Sequence, residues 1–133
     1  ENLIEDLSES KGIIICISSI CGNESIPGAP ITYSCAKAAL NHYIKTISWP
    51  LAQKGIRING ISPGNILFSG STWDEKYKSK RDEVESYLKN NVALKRFGMT
   101  KEISSFACYL GSENSNFTTG SIFTIDGGQT RSY

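Results

Sequence analysis

Apolar residues recur along this chain with two different spacings, and the switches between them outline the expected elements. In Asn2-Leu3-Ile4-Glu5-Asp6-Leu7-Ser8 the apolar positions 3, 4 and 7 fit the end of an amphipathic helix. Gly12 then introduces Ile13-Ile14-Ile15-Cys16-Ile17, a continuous β-branched run that predicts a parallel strand buried on both faces and ended by Ser18-Ser19. A loop of turn formers (Gly22, Asn23, Pro27, Gly28, Pro30) follows. After it, Ala36, Ala39, Leu40, Tyr43, Ile44 and Ile47 stand at helical spacing and predict a long helix over about 32–53. Pro50, with no N–H to donate, is expected to kink or loosen its last turn, and Gly55 to cap it.

Beyond that helix, residues 56–62 read as a second strand, Pro63-Gly64 as a turn, and 71–92 as a polar segment with one or two helices. A further helix is expected over 100–110, with Ile103, Phe106, Ala107 and Leu110 on one face. Residues 121–125 make a third strand, closed by Asp126-Gly127-Gly128. Strands alternating with helices imply an α/β fold with a parallel sheet and right-handed crossovers. Ligands of such sheets bind beyond the carboxyl ends of the strands, which places Ser19 and Pro63-Gly64 on one working edge.

Composition narrows the function classes. A length of 133 residues with 39% hydrophobic content suits one compact domain, and no internal repeat or low-complexity linker divides it. Fourteen basic against thirteen acidic residues leave a net charge of +1, too little to neutralise many phosphates, so nucleic acid is not expected as a partner. The longest apolar run, Ile13–Ile17, is far below the roughly 20 residues that span a bilayer, and no basic-then-apolar leader pattern stands at the start. The expectation is a soluble, cytoplasmic protein. Cys16, Cys21, Cys35 and Cys108 form no C-x-x-C pair and His42 has no partner at ligand spacing, so no metal is expected and the thiols read as reduced. Two glycosylation sequons, at Asn23 and Asn116, stand without any other sign of secretion.

Tyr33 and Lys37 lie four residues apart at the start of the long helix and therefore on one face. An ammonium beside a phenol favours the phenolate, the form that can take a proton. The pair alone is a weak signal, because many helices present it to solvent. Ser19, at the end of the first strand, adds a hydroxyl that can donate to a carbonyl oxygen in the manner of an oxyanion stabiliser.

Together these residues resemble the short-chain dehydrogenase/reductase family. The resemblance runs through Ile17-Ser18-Ser19-Ile20-Cys21-Gly22, Tyr33-Ser34-Cys35-Ala36-Lys37-Ala38-Ala39, Arg57-Ile58-Asn59-Gly60-Ile61-Ser62-Pro63-Gly64 and Asp126-Gly127-Gly128, in matching order and spacing over residues 12–128. Leu94-Lys95-Arg96-Phe97-Gly98 followed by Glu102-Ile103 is similar to a further family stretch. The resemblance implies a Rossmann-like doubly wound parallel sheet, of which residues 1–133 would form only the C-terminal part, about three strands with helices. It implies an NAD(P)-dependent oxidoreductase that transfers hydride between NAD or NADP and a carbonyl/alcohol substrate, of 3-oxoacyl or sugar type. Tyr33 would be the general acid/base. Lys37 would ease its ionisation and hold the nicotinamide ribose, and Ser19 would orient the substrate carbonyl. Pro63, Gly64, Asn65 and Ile66 would approach the nicotinamide through their backbone, where a glycine without Cβ fits well. Asp126-Gly127-Gly128 is taken as a structural turn, and a homodimer or homotetramer is expected of the complete enzyme.

The sequence also departs from the family pattern. Where many members bind the nicotinamide amide with a threonine after the Pro-Gly pair, this chain reads Leu67-Phe68-Ser69-Gly70-Ser71, with Ser69 as the substitute. No G-x-G-x-x-G occurs, so the half that grips the cofactor phosphates, and the asparagine that usually completes the catalytic group, are expected upstream of Glu1. The residues given are then expected to be inactive alone. The choice between NAD and NADP stays open, because the residues that meet the adenosine ribose belong to that other half. The segment 70–91, with Trp73, Tyr77 and Tyr87, is read as a lid, Trp73 and Tyr77 touching the substrate. The competing reading is a non-catalytic truncated remnant or an oligomerisation piece.

Overall fold

The computed structural model describes residues 2–131. In chain order its elements are α1 (Asn2–Glu9), β1 (Ile13–Ile17), a 3₁₀ turn (Ile20–Gly22), α2 (Ile31–Ala52), β2 (Arg57–Pro63), β3 (Ile66–Leu67), α3 (Thr72–Ser79), α4 (Arg81–Asn91), β4 (Gly98–Met99), α5 (Thr100–Gly111), a second 3₁₀ turn (Glu113–Ser115) and β5 (Ile122–Ile125). The sheet is parallel throughout, in the order β1-β2-β5, with Ile13 opposite Arg57, Ile17 opposite Ile61, and Gly60 opposite Ile122. Each pair of neighbours is joined by a crossover containing a long helix, α2 for the first and α5 for the second, as parallel pairing requires.

Alternation along β2 sorts the two faces. Ile58 packs with Ile44 and Leu51 of α2, and Ile4 and Leu7 of α1 join that cluster. On the other face Arg57 and Asn59 reach the far end of α5 and the turn after it. The Arg57 guanidinium donates to the carbonyls of Leu110 (3.0 Å), Ser115 (3.1 Å) and Thr118 (3.2 Å) and to the Ser115 hydroxyl (3.1 Å). Asn59, fully buried, donates to Thr118 O at 2.8 Å and accepts from Ser121 N at 3.1 Å. Helices thus cover both faces of the sheet, the three-layer arrangement expected of an α/β fold.

β1 departs from the expectation of a strand buried on both faces. Its residues are only half-buried and Ile17 is 50% exposed. The reason is its place: β1 is an edge of the sheet, with β2 on one side and no strand on the other among the described residues. Pro50 costs less than expected, since α2 runs on to Ala52. Beyond it Gly55, at φ +74°, closes the helix with its N–H on Ala52 O (3.0 Å) and that of Ile56 on Leu51 O (3.0 Å), the paired bonds of a Schellman motif.

Between β2 and α5 the chain builds a second, smaller core that sequence periodicity did not delimit. Val84, Leu88 and Val92 of the α4 region are buried against Trp73, Tyr77, Tyr87 and Phe97. The two-residue strands β3 and β4 pair in parallel at its base, Ile66 with Gly98 and Leu67 with Met99. Arg96 and Glu102 staple the same place through two hydrogen bonds, 2.7 and 3.0 Å, and Glu102 also accepts from Met99 N at 2.8 Å at the start of α5. The Arg96 guanidinium, with that N–H, holds the Glu102 carboxyl down at about 2.

Two outcomes follow from these polar anchors. Asn59→Ala is expected to cost about 3 kcal/mol in urea unfolding, because it leaves the Ser121 N–H without its acceptor, takes one of two donors from Thr118 O and opens a cavity. Glu102 has a folded pKa below its unfolded one, so its stabilisation is fully present above about pH 4.5 and is lost as pH falls towards 2. The melting-temperature profiles of the parent protein and Glu102→Gln are therefore expected to lie apart above pH 5 and to converge near pH 2; parallel profiles would show that the staple contributes nothing.

Candidate active site

The carboxyl ends of β1 and β2 open into a cleft of about 490 Å³. Ser19 enters it from the extended residue before the first 3₁₀ turn, where its Oγ accepts from Cys21 N at 3.2 Å. Tyr33 enters from the first turn of α2, its side chain open to the cleft and the residue 43% exposed. Pro63, Gly64 and Ile66 form a further wall. Three segments far apart in sequence thus meet in one place, on the edge where the topology puts ligands.

Lys37 stands one helical turn beyond Tyr33. Its Nζ donates to the Ile17 carbonyl at 2.9 Å, on the last residue of β1, and lies 5.6 Å from the centre of the Tyr33 ring. An ammonium has three N–H donors, so this anchor leaves two for a ligand. The same charge reaches Cys16: burial pushes that thiol up, and Lys37 opposes the shift.

The turn bearing Ser19 is held against α2 by the absence of a side chain at Gly22. A Cβ there would meet the backbone carbonyl carbon of Lys37 at 2.7 Å and Asn41 Nδ2 at 2.9 Å. Around it Asn23 ties four elements together: its Oδ1 accepts from Asn41 Nδ2 (2.8 Å) and Ser62 Oγ (3.2 Å), and its Nδ2 donates to Thr124 Oγ1 (3.0 Å). The sequon nitrogen at Asn23 is therefore part of the fold. Gly22 stands in the Ser19 motif, and that is the one sequence signal that could have identified it.

Other expectations are redistributed. Gly64 lines the cleft, but its missing Cβ makes room for Asp126, whose Cβ would lie 2.7 Å away, rather than for a ligand. The Asn65 side chain turns to a neighbouring cleft, and its Nδ2 donates to the Tyr87 hydroxyl at 3.4 Å. Ser69 is exposed in a turn beside the cleft, and Phe68 and Thr100 occupy its wall instead. Asp126-Gly127-Gly128 is a structural turn: burial pushes the Asp126 carboxyl up, but hydrogen bonds from Thr130 N, Thr130 Oγ1 and Gly128 N outweigh it and hold the group below its ordinary value.

Three polar wall residues escaped sequence reasoning. Thr100 and Ser104 come from α5, on the side of the helix read as purely apolar. Ser18, only 4% exposed, also lines the cleft, and its Oγ is buried without a hydrogen-bond partner. Buried hydroxyls are normally satisfied, so an orphan facing a cleft fits a polar ligand atom there.

The neighbouring cleft, about 600 Å³, lies between the loop 21–29 and α3–α4. Trp73 and Tyr87 line it with rings stacked at 5.2 Å, and Lys76 and Lys80 stand on its rim. Tyr77, expected beside Trp73, faces the small core: its ring meets Phe97 edge-on and its hydroxyl donates to Glu85 at 3.0 Å. Among the described residues no group of three or more His, Cys, Asp or Glu could hold a metal, and no helix is long and apolar enough to cross a membrane.

Against known proteins, the family described as enoyl-(acyl carrier protein) reductase matches residues 2–130. Isoepoxydon dehydrogenase of Aspergillus clavatus is 38% identical over 115 residues, covering 86% of this chain and 44% of that enzyme. The structure of L-sorbose reductase from Gluconobacter frateurii complexed with NADPH and L-sorbose superposes with a TM-score of 0.87 at 30% identity, covering 98% of this chain and 52% of that one. A 4-hydroxyisoleucine dehydrogenase mutant complexed with NADH and succinate gives 0.84 at 35% identity, covering 97% and 52%. The chain spans about half the length of the curated relatives it matches.

Gly22→Ala tests the geometry. The added methyl must push α2 and the Ser19 turn apart, so turnover at this site is expected to fall by about tenfold to a hundredfold with far-UV circular dichroism unchanged. Full turnover in the variant would mean that the Ser19–Lys37 spacing is not critical.

Proposed function

The chain belongs to the short-chain dehydrogenase/reductase family, and from that premise we propose that the protein interconverts a carbonyl compound and its alcohol with NAD or NADP. The observation that supports this most is the meeting of Ser19, Tyr33 and Pro63-Gly64 around one cleft, with the Lys37 ammonium pinned beside the Tyr33 ring. When bound, the nicotinamide gives or takes the hydride. Its fit rests on the apolar walls of Ile17, Ile66, Phe68 and Ile103, suited to a flat ring, and on the orphan Ser18 hydroxyl. Pro63, Gly64 and Ile66 would hold that ring, with Lys37 using a free N–H on the ribose.

In reduction the Tyr33 hydroxyl donates its proton to the carbonyl oxygen as negative charge grows there; in oxidation it takes the proton of the alcohol. Ser19, fixed by its bond from Cys21 N, presents its own O–H to the same oxygen. Lys37, held by the Ile17 carbonyl, keeps its ammonium beside the Tyr33 ring and does not need to touch the substrate. The substrate's carbonyl would lie in the cleft of Tyr33 and Ser19, and the rest of the molecule would extend to the neighbouring cleft under α3–α4, against Trp73; 3-oxoacyl and sugar-type ketones are the classes to try first.

The reading includes a cytoplasmic homodimer or homotetramer. Free thiols at all four cysteines suit a reducing compartment, and Ile31, Tyr43 and Trp49 leave apolar surface of α2 uncovered.

Tyr33→Phe is expected to lower turnover by about 10²–10⁴-fold while cofactor binding, measured by fluorescence titration, is largely kept. A variant with more than about a tenth of the parent rate would sink the assignment.

A further inference from the structure

We propose that the cleft under α3–α4 selects substrates bearing an anionic group, a carboxylate or a phosphate, held by the Lys76 ammonium and the Tyr87 hydroxyl. The proposal rests on the carbonyl/alcohol reading above and adds the class of substrate.

The first observation is an incomplete hydrogen-bond set. The Tyr87 oxygen accepts from Gln129 Nε2 at 3.0 Å and from Asn65 Nδ2 at 3.4 Å. Both partners are donors, so neither uses the phenol's own proton. Gln129, 8% exposed, has its Oε1 buried with no partner. Tyr87 lines the cleft, and an acceptor placed there can take its proton.

Charge is the second observation. Three basic residues of this segment are neutralised, Lys78 by Asp74 at 2.7 Å, Lys80 by Glu83 at 3.2 Å and Arg81 by Glu85 at 2.8 Å, and Lys89 of α4 does not line the cleft. Lys76 lines the cleft and, among the described residues, makes no ion pair; its Nζ lies 5.1 Å from the centre of the Trp73 ring instead. Trp73 is also the ring on which Tyr87 stacks, at 5.2 Å. One indole therefore carries an unpaired ammonium and a hydroxyl on the lining of the same cleft, the two groups that an anion bound there would use.

Matched pairs of substrates test this: acetoacetate against methyl acetoacetate for the carboxylate, fructose 6-phosphate against fructose for the phosphate. The full protein is expected to favour the anionic member of at least one pair by about tenfold or more in kcat/KM. That ratio should fall about tenfold in Lys76→Met, fall in Tyr87→Phe, and shrink as salt is raised. Equal use of both members of each pair, or a preference untouched in Lys76→Met, overturns the proposal. A readout without turnover separates it from the catalytic reading. These 133 residues hold two tryptophans, so the Trp73 signal is read in a Trp49→Phe background as the difference from the same protein carrying Trp73→Phe. Saturable change of its fluorescence by acetoacetate or fructose 6-phosphate, absent with the neutral partners and lost in Lys76→Met, supports the anion site even if no substrate turns over. No change with either anion, in a protein that reduces their neutral partners, refutes it while leaving the oxidoreductase intact.

Discussion

The position of α2 against the sheet is the constraint on which the site depends, and two missing side chains set it. At Gly60 a Cβ would lie 3.0 Å from Ile44 Cδ1 and 2.7 Å from Ile122 Cδ1, so α2 seats Ile44, fully buried, directly on the β2–β5 backbone. At Gly22 the helix backbone itself comes within 2.7 Å of where a Cβ would stand. Together these contacts fix the distance and the axial position of the helix. Lys37 can then reach the last carbonyl of β1, and Tyr33, one turn earlier, looks across the strand ends. Packing in a core admits little slack, so a methyl at either glycine must be absorbed by displacement of the helix.

β2 is the other fixed reference. Its inward side chains alternate between apolar residues for α2 and polar ones for α5, with Arg57 and Asn59 gathering acceptors from residues 110–118 and a donor from Ser121. Arg57 meets the carbonyl end of α5, where a cation also complements the helix dipole. These bonds fix where α5 ends and β5 begins. The start of α5 is stapled independently by Glu102. With both ends tied, α5 presents Thr100 and Ser104 to the cleft as rigidly as α2 presents Tyr33.

The main architecture was legible because two periods, of a strand and of a helix, alternate along the chain and were long enough to detect. α1, β1, α2, β2, α5 and β5 all lie within a residue or two of their expected bounds. What escaped falls below any periodicity: β3 and β4 are two residues each and exist by mutual pairing. Burial of β1 was overestimated because an Ile run reports what a strand could bury, not whether a neighbour is there. Among site residues, Ser19, Tyr33, Pro63 and Gly64 came together as expected, because each sits at an element end on one edge. Tyr77 shares the small core and Phe97 with Trp73 but does not join it in lining the neighbouring cleft, because the hydroxyl of Tyr77 found Glu85 of α4. A bond across two helices leaves no trace in local spacing, and the same is true of the orphan hydroxyl of Ser18.

The segment from Pro63 to Ile66 shows how one short stretch can serve two clefts. An extended chain sends successive side chains to opposite sides. Gly64 and Ile66 accordingly line the cleft of Tyr33, whereas Asn65 lines the cleft of Trp73 and reaches Tyr87. The bond from Gly98 N to Asn65 O (2.9 Å) and the β3–β4 pairing hold this wall, and Gly98 lets Ile66 approach because a Cβ there would lie 2.6 Å from Ile66 Cδ1. A slip of one residue in that two-residue pairing would exchange the faces and turn Asn65 into the apolar cleft. The staple between Arg96 and Glu102, immediately beside β4, therefore guards register as well as stability. A small sheet with no core of its own keeps the two clefts distinct.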